Sequence, residues 1–593
     1  MKKIAMTVIL LVISCQVFCA PPRAVRSIKN KPRDTGEVLV IFKKNISQQD
    51  ISGFNSRHST SLNLLTDMIS AVESNYSLVR TRMNKTNTAI ICYKAANPAA
   101  IDSLVNSLNA ESIVESAQPN HILSALDAYS YVYPVVSGGP NDAAYNYDNN
   151  HGPAYNYPPF PPPYCYENAY EGQWYISQVQ ADRAFAAGLT TAPPGRDIIV
   201  AVVDTGVNYS IAGGNPDLAN VVLPGYNEIT PTALPYDDDI ADECGDAGHG
   251  THVAGIIAAN SNNSIGIASV SMSQDLAGTS KVKILPVKVL DMNGNGNDYD
   301  IFNGIEWAAD NGADIINMSF GGPDQDMVLE QAVNYAYGKG VLCVAAAGND
   351  SAQTYYPAVY PNVMAVSATD ISVDSCGATA DVLASFSNYG KIDIAAPGVN
   401  IWSTANDLDK NPAGYSSMDG TSFSSPIVAA AAALVKLKNP SYTPDKLRLV
   451  LEQTADDDYQ PCAGGNPGYD KYFGWGRVNV FRALKEDYNV PENEPAIRTY
   501  NWPNPFSPTN DTFTSIVFRV TQQADITIRI YDGGNQLVWK TSVDKADVST
   551  AAYNTVKWNG KNTSGTGVAN GVYFYIVKSS AGPYAKNKIA VLY

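Results

Sequence analysis

Residues 197–206 have the sequence DIIVAVVDTG, an apolar run that ends in Asp204 and a glycine turn. A short run of Ile and Val bounded by turn residues is typical of a strand that is buried on both faces. Further strands are predicted at 281–290, 314–318 and 340–347, and they alternate with helices predicted at 252–260, 299–311 and 424–436. This alternation predicts an α/β domain whose parallel sheet is covered by helices on both faces.

Two more blocks, HGTHVAG at 249–255 and GTSFSSP at 420–426, carry side chains suited to catalysis. A serine hydroxyl becomes a nucleophile when an imidazole takes its proton and a carboxylate orients that imidazole. Asp204, His249 and Ser422 offer these groups in the chain order Asp, His, Ser. Each residue alone has an ordinary structural explanation, such as a helix cap or a turn, but their coincidence in three blocks favours catalysis.

The three blocks and their order resemble those of the subtilases, the subtilisin-like serine proteases. The resemblance implies that peptide bonds in protein or peptide substrates are hydrolysed through an acyl-enzyme. It assigns the general base to His249 and leaves His252 a structural role. The sequence AAGN at 346–349 resembles the oxyanion-hole block of the family, so Asn349 is expected to donate a hydrogen bond together with the backbone of Ser422.

A substrate cleft is implied by the same resemblance, because the family binds its substrate as an added β-strand. The substrate-binding residues implied in this way are Ser319, Phe320, Gly321, Gly322 and Tyr356. Asp350 is expected near the floor of the pocket for the residue before the scissile bond. We therefore predict tolerance for large apolar residues at that position, with some acceptance of Lys or Arg.

Structural calcium is also implied, because Pro216-Asp217-Leu218 and the segment 262–267 resemble the two parts of a subtilase calcium site. The implied ligands are the side chains of Asp217 and Asn263 and the backbone carbonyls of Ile265 and Ile267, with Ser261 as a further candidate. Oxygen-only ligation suits this hard cation. The acidic stretch 237–246 fits a second ion site, a subsite for basic residues or a solvated loop.

Changes of composition divide the chain into five segments. We predict a signal peptide at 1–20, an α+β propeptide at 34–124, a Tyr/Pro-rich linker at 125–172, the catalytic domain at 173–487 and an all-β, Ig-like sandwich at 495–593. With 593 residues the chain is too long for one compact core.

The N-terminal α+β segment combines strands predicted at 37–42 and 89–93 with helices predicted at 62–79 and 98–108. This order resembles the inhibitory propeptide of subtilases, which implies that the chain's own propeptide is an inhibitor removed by cleavage between 123 and 167. An unrelated N-terminal domain fits the same pattern. The linker favours extended conformations, and carbohydrate binding or packing over the catalytic domain are alternatives for it.

The C-terminal segment has short strands predicted at 526–531, 552–558 and 572–577, separated by turn residues. Its Asn- and Gly-containing motifs resemble the Ig-like domain of the flagellar hook-capping family. Similar modules end secreted bacterial enzymes, sometimes as sorting signals, so we expect contact with the cell surface or with a secretion machinery.

Export is also predicted from the N-terminus, where Lys2 and Lys3 precede an apolar run at 4–13 that is too short to span a bilayer. A secreted protein follows, although the residues before Cys15 resemble a lipobox and leave a lipid anchor as the alternative. A formal net charge of −17 argues against nucleic acid as a partner.

The cysteines are consistent with an extracellular protein but do not fix a disulfide pattern. Cys343 lies in an apolar strand pattern and is predicted to be a free core thiol. The remaining four outside the signal and the propeptide allow three pairings; they are Cys165, Cys244, Cys376 and Cys462.

These observations predict a secreted, self-maturing serine endopeptidase. A processing protease with few substrates is a second enzymatic interpretation. A surface adhesion protein with an inert protease domain is the alternative of a different class, and the complete set of catalytic residue types argues against it.

Overall fold

The computed structural model describes residues 34–42, 62–63, 90–95, 101–126, 129–131, 173–191, 195–208, 215–238, 248–261, 263, 266–273, 280–373, 379–406, 414–457, 469–485, 497–502, 506–508, 513–520, 523–548, 554–582 and 584–593. The predicted signal peptide and the lipobox cysteine lie outside these ranges. So do the four cysteines that are candidates for disulfides.

The N-terminal segment is a small α+β unit. Its elements are β1 (Asp34–Phe42), β2 (Leu62–Asn63), β3 (Ile90–Ala95), α1 (Ile101–Asn109) and β4 (Val114–Ala125). The strands form an antiparallel sheet in the order β4-β1-β3-β2. Helix α1 packs Ile101 and Leu108 against buried residues of β1, which gives this unit a core of its own.

One prediction for this segment is wrong at its start. Leu62 and Asn63 pair with β3 as a strand, so no helix begins at residue 62. A two-residue strand carries too few residues to show a period of 2, and the helical pattern that follows it dominates the sequence signal. Residues 64–79, where the rest of that helix is expected, lie outside the described residues.

The central region contains many short elements. Its first half consists of β5 (Tyr129–Tyr131), α2 (Trp174–Gln178), α3 (Ala181–Ala186), β6 (Ile198–Asp204), β7 (Tyr226–Asn227), α4 (His249–Ala258), β8 (Val282–Lys288), β9 (Asn295–Asn297), α5 (Asp298–Asp310), β10 (Ile315–Met318) and β11 (Phe320–Gly321). Its second half consists of α6 (Met327–Gly338), β12 (Leu342–Ala346), β13 (Val363–Val373), β14 (Thr379–Leu383), β15 (Ile394–Pro397), β16 (Ile401–Thr404), β17 (Tyr415–Asp419), α7 (Thr421–Lys438), α8 (Pro444–Thr454) and α9 (Val480–Lys485).

The main sheet has the order β14-β13-β12-β10-β6-β8-β7, with β15 beside β13. Its neighbours are parallel except for the pair β13–β14. Alternate residues of β6 enter two different cores: Val200 and Val202 pack with α4 and α7, whereas Ala201 and Val203 pack with α5 and α6. The predicted parallel sheet with helices on both faces is therefore confirmed.

The C-terminal region is all-β, as predicted. Its strands are β18 (Ile497–Trp502), β19 (Thr514–Val520), β20 (Ile526–Tyr531), β21 (Leu537–Val543), β22 (Asn554–Trp558), β23 (Gly571–Ser579) and β24 (Tyr584–Val591). They form two antiparallel sheets, β18-β19-β22 and β21-β20-β23-β24. A separate core that includes Phe506, Trp558 and Tyr575 lies between them.

Two further observations concern the described residues. Cys343 is a free thiol buried in β12, as predicted. Among the helices described, none is long and apolar enough to cross a bilayer.

Candidate active site

The three predicted catalytic residues lie at the ends of core elements. Asp204 is the last residue of β6, His249 is the first residue of α4, and Ser422 is the second residue of α7. Carboxyl ends of parallel strands and amino ends of helices meet at one edge of such a sheet, which is where ligands bind in open α/β folds.

Asp204 and His249 form a buried pair. His249 Nδ1 lies 2.7 Å from Asp204 Oδ1, and their side chains are 2% and 0% exposed. The backbone N–H of Thr205 donates to the same oxygen at 2.7 Å. Gly250 is required beside this pair, because a Cβ there would lie 2.1 Å from the carbonyl oxygen of Gly206. Gly250 of the HGTHVAG block thus lets the imidazole approach the carboxylate.

The hydroxyl of Ser422 has two neighbours. Its Oγ donates to the carbonyl oxygen of Ser319 at 2.9 Å and accepts the backbone N–H of Leu126 at 3.1 Å. The next residue, Phe423, is buried, and its ring centroid lies 5.5 Å from that of His249. The start of α7 therefore lies beside the imidazole.

His252 occupies a different environment. Its Nε2 lies 3.2 Å from the carbonyl oxygen of Ser416, and its ring packs edge-on against Phe423 at 4.6 Å. Both contacts fit the structural role expected for this residue.

Asn349 follows β12 and points its amide at a carbonyl group. Its Nδ2 donates to the carbonyl oxygen of Leu126. Its Oδ1 accepts the backbone N–H of Thr421 at 3.0 Å and the Thr421 hydroxyl at 2.8 Å. Since the Thr421 donors hold the amide oxygen, the amide nitrogen is left facing Leu126. This arrangement suits the stabilisation of a developing oxyanion.

A strand of the chain itself fills the cleft in front of these groups. The last residues of β4 lie between β9 and β11, with Leu123 opposite Gly296 and with Ala125 opposite Phe320. The N–H of Leu126 also donates to the carbonyl oxygen of Ser319, at 3.3 Å. Ser319, Phe320 and Gly321 thus bind an extended peptide through their backbones.

Two side chains of this strand enter apolar pockets. Leu126 packs with Ala346 and Tyr355, and Leu123 joins the core on the α5 and α6 side of the sheet. Small residues make this room, because a Cβ on Gly321 would lie 3.3 Å from Leu126 Cδ1 and one on Gly322 would lie 2.7 Å from Leu123 Cδ2.

Two residues expected to contact the substrate have other partners. Asp350 accepts a hydrogen bond from the Tyr355 hydroxyl, which leaves it less suited to a substrate cation than predicted. Tyr356 exchanges backbone hydrogen bonds with Gly322, at 2.9 and 3.0 Å, so it braces the wall of the cleft.

The expected calcium loop is partly described. Asp217 is buried, and its carboxylate accepts hydrogen bonds from Asn263 Nδ2 at 2.8 Å, from the Ile267 N–H at 2.9 Å and from the Tyr415 hydroxyl at 2.9 Å. The side chains of Asp217 and Asn263 are thus adjacent, whereas Ile265 lies outside the described residues. A buried carboxylate beside an amide is an oxygen-rich pair that suits calcium once the amide turns its oxygen inwards.

The acidic stretch ahead of His249 begins with two engaged carboxylates. Asp237 accepts the N–H and the hydroxyl of Thr251, at 2.9 and 2.6 Å. Asp238 pairs with the buried ammonium of Lys288 at 2.6 Å. Neither contact favours a second ion site, and residues 239–247 lie outside the described residues.

The residue that occupies the site, Leu126, is not among the predicted site residues. Composition predicts a linker from residue 125, but Ala125 ends β4, Leu126 contacts Asn349 and Ser422, and β5 pairs antiparallel with β17. The apolar residues that end the N-terminal segment are the feature of the sequence from which the bound position of Leu126 could have been predicted. The pairing of β5 carries no periodic signal in so short a strand.

A carboxylate–imidazole pair, a serine at the start of a helix and an amide that faces a peptide carbonyl together define a serine protease site on an α/β scaffold. A sequence profile of the Subtilase family matches residues 195–476. Relatives named as proteases align over more of the chain. Thermophilic serine proteinase from Bacillus sp. (strain AK1) is 36% identical over 386 residues, which cover 65% of this chain and 76% of the relative.

Subtilisin Savinase from Lederbergia lenta is 43% identical over 314 residues, which cover 53% of this chain and 98% of the relative. An alkaline protease from Shouchella clausii shares 43% identity over 314 residues, covering 53% of this chain and 70% of its own length. The chain therefore belongs to the subtilase family and is a serine endopeptidase.

A second match covers the C-terminal sandwich. Residues 500–592 match the CHU_C type IX secretion signal domain. The predicted resemblance to the flagellar hook-capping family is thus replaced by a match to a secretion signal domain, which indicates export. Both are small β-sandwiches with turn-rich sequences, so the local motifs alone could not separate them.

Proposed function

We propose that the protein is an exported serine endopeptidase made as a zymogen, in which the chain's own N-terminal segment fills the substrate cleft until it is cut. The observation that carries the proposal is the position of Leu126, whose carbonyl oxygen accepts from Asn349 and whose N–H meets the hydroxyl of Ser422. A substrate carbonyl must occupy this position to be attacked.

In the proposed reaction His249 takes the proton of the Ser422 hydroxyl as the oxygen attacks the substrate carbonyl. Asp204 holds the imidazole by its Nδ1 and stabilises the cation that forms. The amide of Asn349 and the backbone N–H of Ser422 stabilise the oxyanion. Histidine then protonates the leaving amine, and water hydrolyses the acyl-enzyme by the same steps in reverse order.

The scissile bond of the zymogen is then Leu126–Asp127. This places the end of the propeptide at residue 126 rather than at 124. The course of the chain beyond this bond supports self-inhibition. The chain continues as β5, which pairs with β17, so both sides of the bond are bound. The protein's own propeptide is the inhibitor in this scheme.

The preferred substrates are proteins or peptides with an apolar residue before the scissile bond and another three positions earlier. Leu126 and Leu123 occupy these two pockets, and the pairing of Asp350 with Tyr355 favours Leu, Phe or Met over Lys or Arg. A strand held mainly through its backbone, with apolar pockets for Leu126 and Leu123, supports broad specificity rather than a processing protease with few substrates.

Structural calcium completes the proposal for the catalytic domain. Asp217 and Asn263 would hold the ion through side-chain oxygens, with Ile265 and Ile267 as backbone ligands. The ion would neutralise the buried carboxylate and fix the loop beneath α4. The C-terminal sandwich would act through contact with the secretion machinery, which delivers the enzyme outside the cell.

The test is covalent labelling of the full chain with a fluorophosphonate, followed by N-terminal sequencing of the mature form. We expect one labelled serine and a new N-terminus at Asp127. Ser422→Ala should lose both the label and the cleavage. Ser424→Ala is the matched control, since this buried serine of the same helix donates to Pro397 instead. Labelling that persists in Ser422→Ala would refute the proposal.

A further inference from the structure

Upstream of the apolar pockets, the strand that fills the cleft places a histidine beside two carboxylates. His121 lies in β4, and its Nδ1 is 3.1 Å from Asp298 Oδ2 and 3.7 Å from Asp326 Oδ2. Its backbone N–H donates to Asp298 Oδ2 at 2.6 Å. Counting back from Leu126, His121 is the sixth residue before the proposed scissile bond.

The two carboxylates belong to the catalytic domain and lie at the starts of two helices. Asp298 is the first residue of α5, and Asp326 caps α6 by accepting the N–H groups of Val328 and Leu329 at 2.6 and 2.8 Å. With the strand in place, their side chains are 0% and 2% exposed.

These carboxylates lack a full set of partners. Within the described residues, Asp298 Oδ1 and Asp326 Oδ2 are buried atoms without a hydrogen-bond partner. Among the described residues, the imidazole of His121 forms an ion pair with each of the two carboxylates. Two buried carboxylates this close together share a proton or bind a positive group, and a protonated His121 supplies that group here.

The electrostatics of His121 agree with this view. Burial by itself lowers the pKa of His121, but hydrogen bonds and charge interactions with Asp298 and Asp326 outweigh burial and raise the pKa to about 10. Burial and the neighbouring Asp326 raise the pKa of Asp298, whereas the charge and the hydrogen bond of His121 act to lower it and so favour the ionised carboxylate. The notch between α5 and α6 therefore favours a cationic occupant.

We propose that Asp298 and Asp326 form a substrate subsite that binds a basic side chain at the sixth residue before the scissile bond. This inference rests on the proposed function, in which β4 is bound as a substrate is. When the propeptide leaves, the notch opens at the far end of the same cleft. The cation of a protein substrate then replaces the imidazole, and Lys and Arg suit it best because both remain charged at neutral pH.

The experiment compares peptides that share Leu at the two apolar positions and differ only at the sixth residue, which is Lys, Met or Glu. Met matches the length of Lys without its charge. For the mature enzyme we expect kcat/KM for the Lys peptide to exceed that for the Met peptide by about tenfold, the size of one hydrogen bond between charged groups. The Glu peptide should be the poorest substrate.

The double variant Asp298→Asn, Asp326→Asn should bring the ratio of Lys to Met close to one. The cap of α5 is Asn297, which the variant keeps, and Asn in place of Asp326 can still cap α6, so the starts of both helices are preserved. A peptide with His at the sixth position adds a control: its preference should shrink as the pH rises above about 6.5, where free His loses its proton, while the preference for Lys persists.

The outcomes separate the subsite from the protease. Equal cleavage of the Lys and Met peptides overturns the subsite and leaves the proposed function standing. A failure to cleave any peptide overturns the proposed function and the subsite with it. A preference that appears only when zinc is added overturns the ion pair in favour of a shared metal.

Discussion

Asn349 shows how one side chain is aimed by its neighbours. Thr421 donates to the amide oxygen through its N–H and its hydroxyl, and this leaves the amide nitrogen on the carbonyl of Leu126. Asn349→Asp keeps the two bonds from Thr421 and removes the donor. We expect kcat to fall by about a hundred- to thousandfold with little change in KM, which is the loss measured in subtilisin when its oxyanion-hole asparagine is replaced.

Steady-state kinetics of the mature enzyme would test this prediction, and circular dichroism would show whether Asn349→Asp folds. A variant that folds and keeps more than a tenth of the wild-type kcat would contradict the role of Asn349 as an oxyanion donor.

Residues of the site differ in how far sequence could predict them. Asp204, His249 and Ser422 stand in short blocks whose small residues are themselves part of the chemistry, as the close approach at Gly250 illustrates. His121 and Asp298 have no such context, because 177 positions separate them and only the docking of β4 brings them together. Residues that are close in sequence can therefore be predicted as a site, whereas residues that only a tertiary contact brings together cannot.

At the scale of elements, the proposed calcium site would join the segment around Asp217 to the end of α4, where the N–H of Asn260 donates to the carbonyl oxygen of Asp217 at 2.8 Å. Calcium that replaces the hydrogen-bond donors on Asp217 would bind the folded state and not the unfolded state. At a calcium concentration of about a hundred times Kd, it would stabilise the folded state by about 2.7 kcal/mol. A chelator should therefore lower Tm by about 5–10 °C. Differential scanning calorimetry of Ser422→Ala, which cannot digest itself, would measure the shift.

The matched control for this prediction is Asp217→Asn, which preserves the size of the side chain and removes its charge. Its Tm should be lower than that of the parent and nearly independent of the chelator. An unchanged Tm in the parent after chelation would show that the loop holds no calcium.

The contact between β4 and the two helices predicts a pH dependence. Since docking raises the pKa of His121 from 6.5 to about 10, the ion pair stabilises the docked propeptide fully below pH 6.5. That stabilisation is lost progressively as the pH rises towards 10.

Hydrogen exchange of β4 in the uncleaved Ser422→Ala chain would measure this effect. After correction for the intrinsic rate, protection should fall between pH 6.5 and 9.5 by an amount equivalent to about 3–4 kcal/mol, which follows from the rise in the pKa of His121 to about 10. In His121→Gln, which cannot titrate, the fall should be much smaller. Equal pH profiles for the two chains would exclude His121 as the source.

Elements were predicted with unequal success for a physical reason. The strands and helices of the main sheet carry long apolar runs, so their existence and order followed from the pattern, while their ends moved by a few residues. Helix α4 starts at His249 rather than after it, and α7 starts at Thr421 rather than at Ser424. These ends depend on backbone turns at Gly248 and Gly420, which have positive φ angles of 85° and 155°. The periodicity of apolar side chains does not reveal where such a turn lies.

At the scale of the whole molecule, the separate cores suggest separate tasks. The sandwich buries Phe506, Trp558 and Tyr575 in a cluster of its own, and no residue of that cluster is shared with the clusters of the catalytic domain among the residues described. Removal of residues 495–593 should therefore leave kcat/KM for a Leu-containing peptide within about twofold of the wild-type value. Export, in contrast, should be lost, because the deleted segment matches a secretion signal domain.

Fractionation of cells that have a type IX secretion system would test this, with activity assayed inside and outside the cell. The reciprocal chain, residues 495–593 fused behind a signal peptide and a reporter protein, should carry the reporter outside.

A sandwich variant with Trp558→Ala is the sharper control, since it keeps the length of the chain and removes a buried ring at the centre of the core. Such a change costs about 3–5 kcal/mol, enough to unfold a small domain while the catalytic domain stays active. Export of the truncated enzyme at the wild-type level would show that the sandwich is not the export determinant.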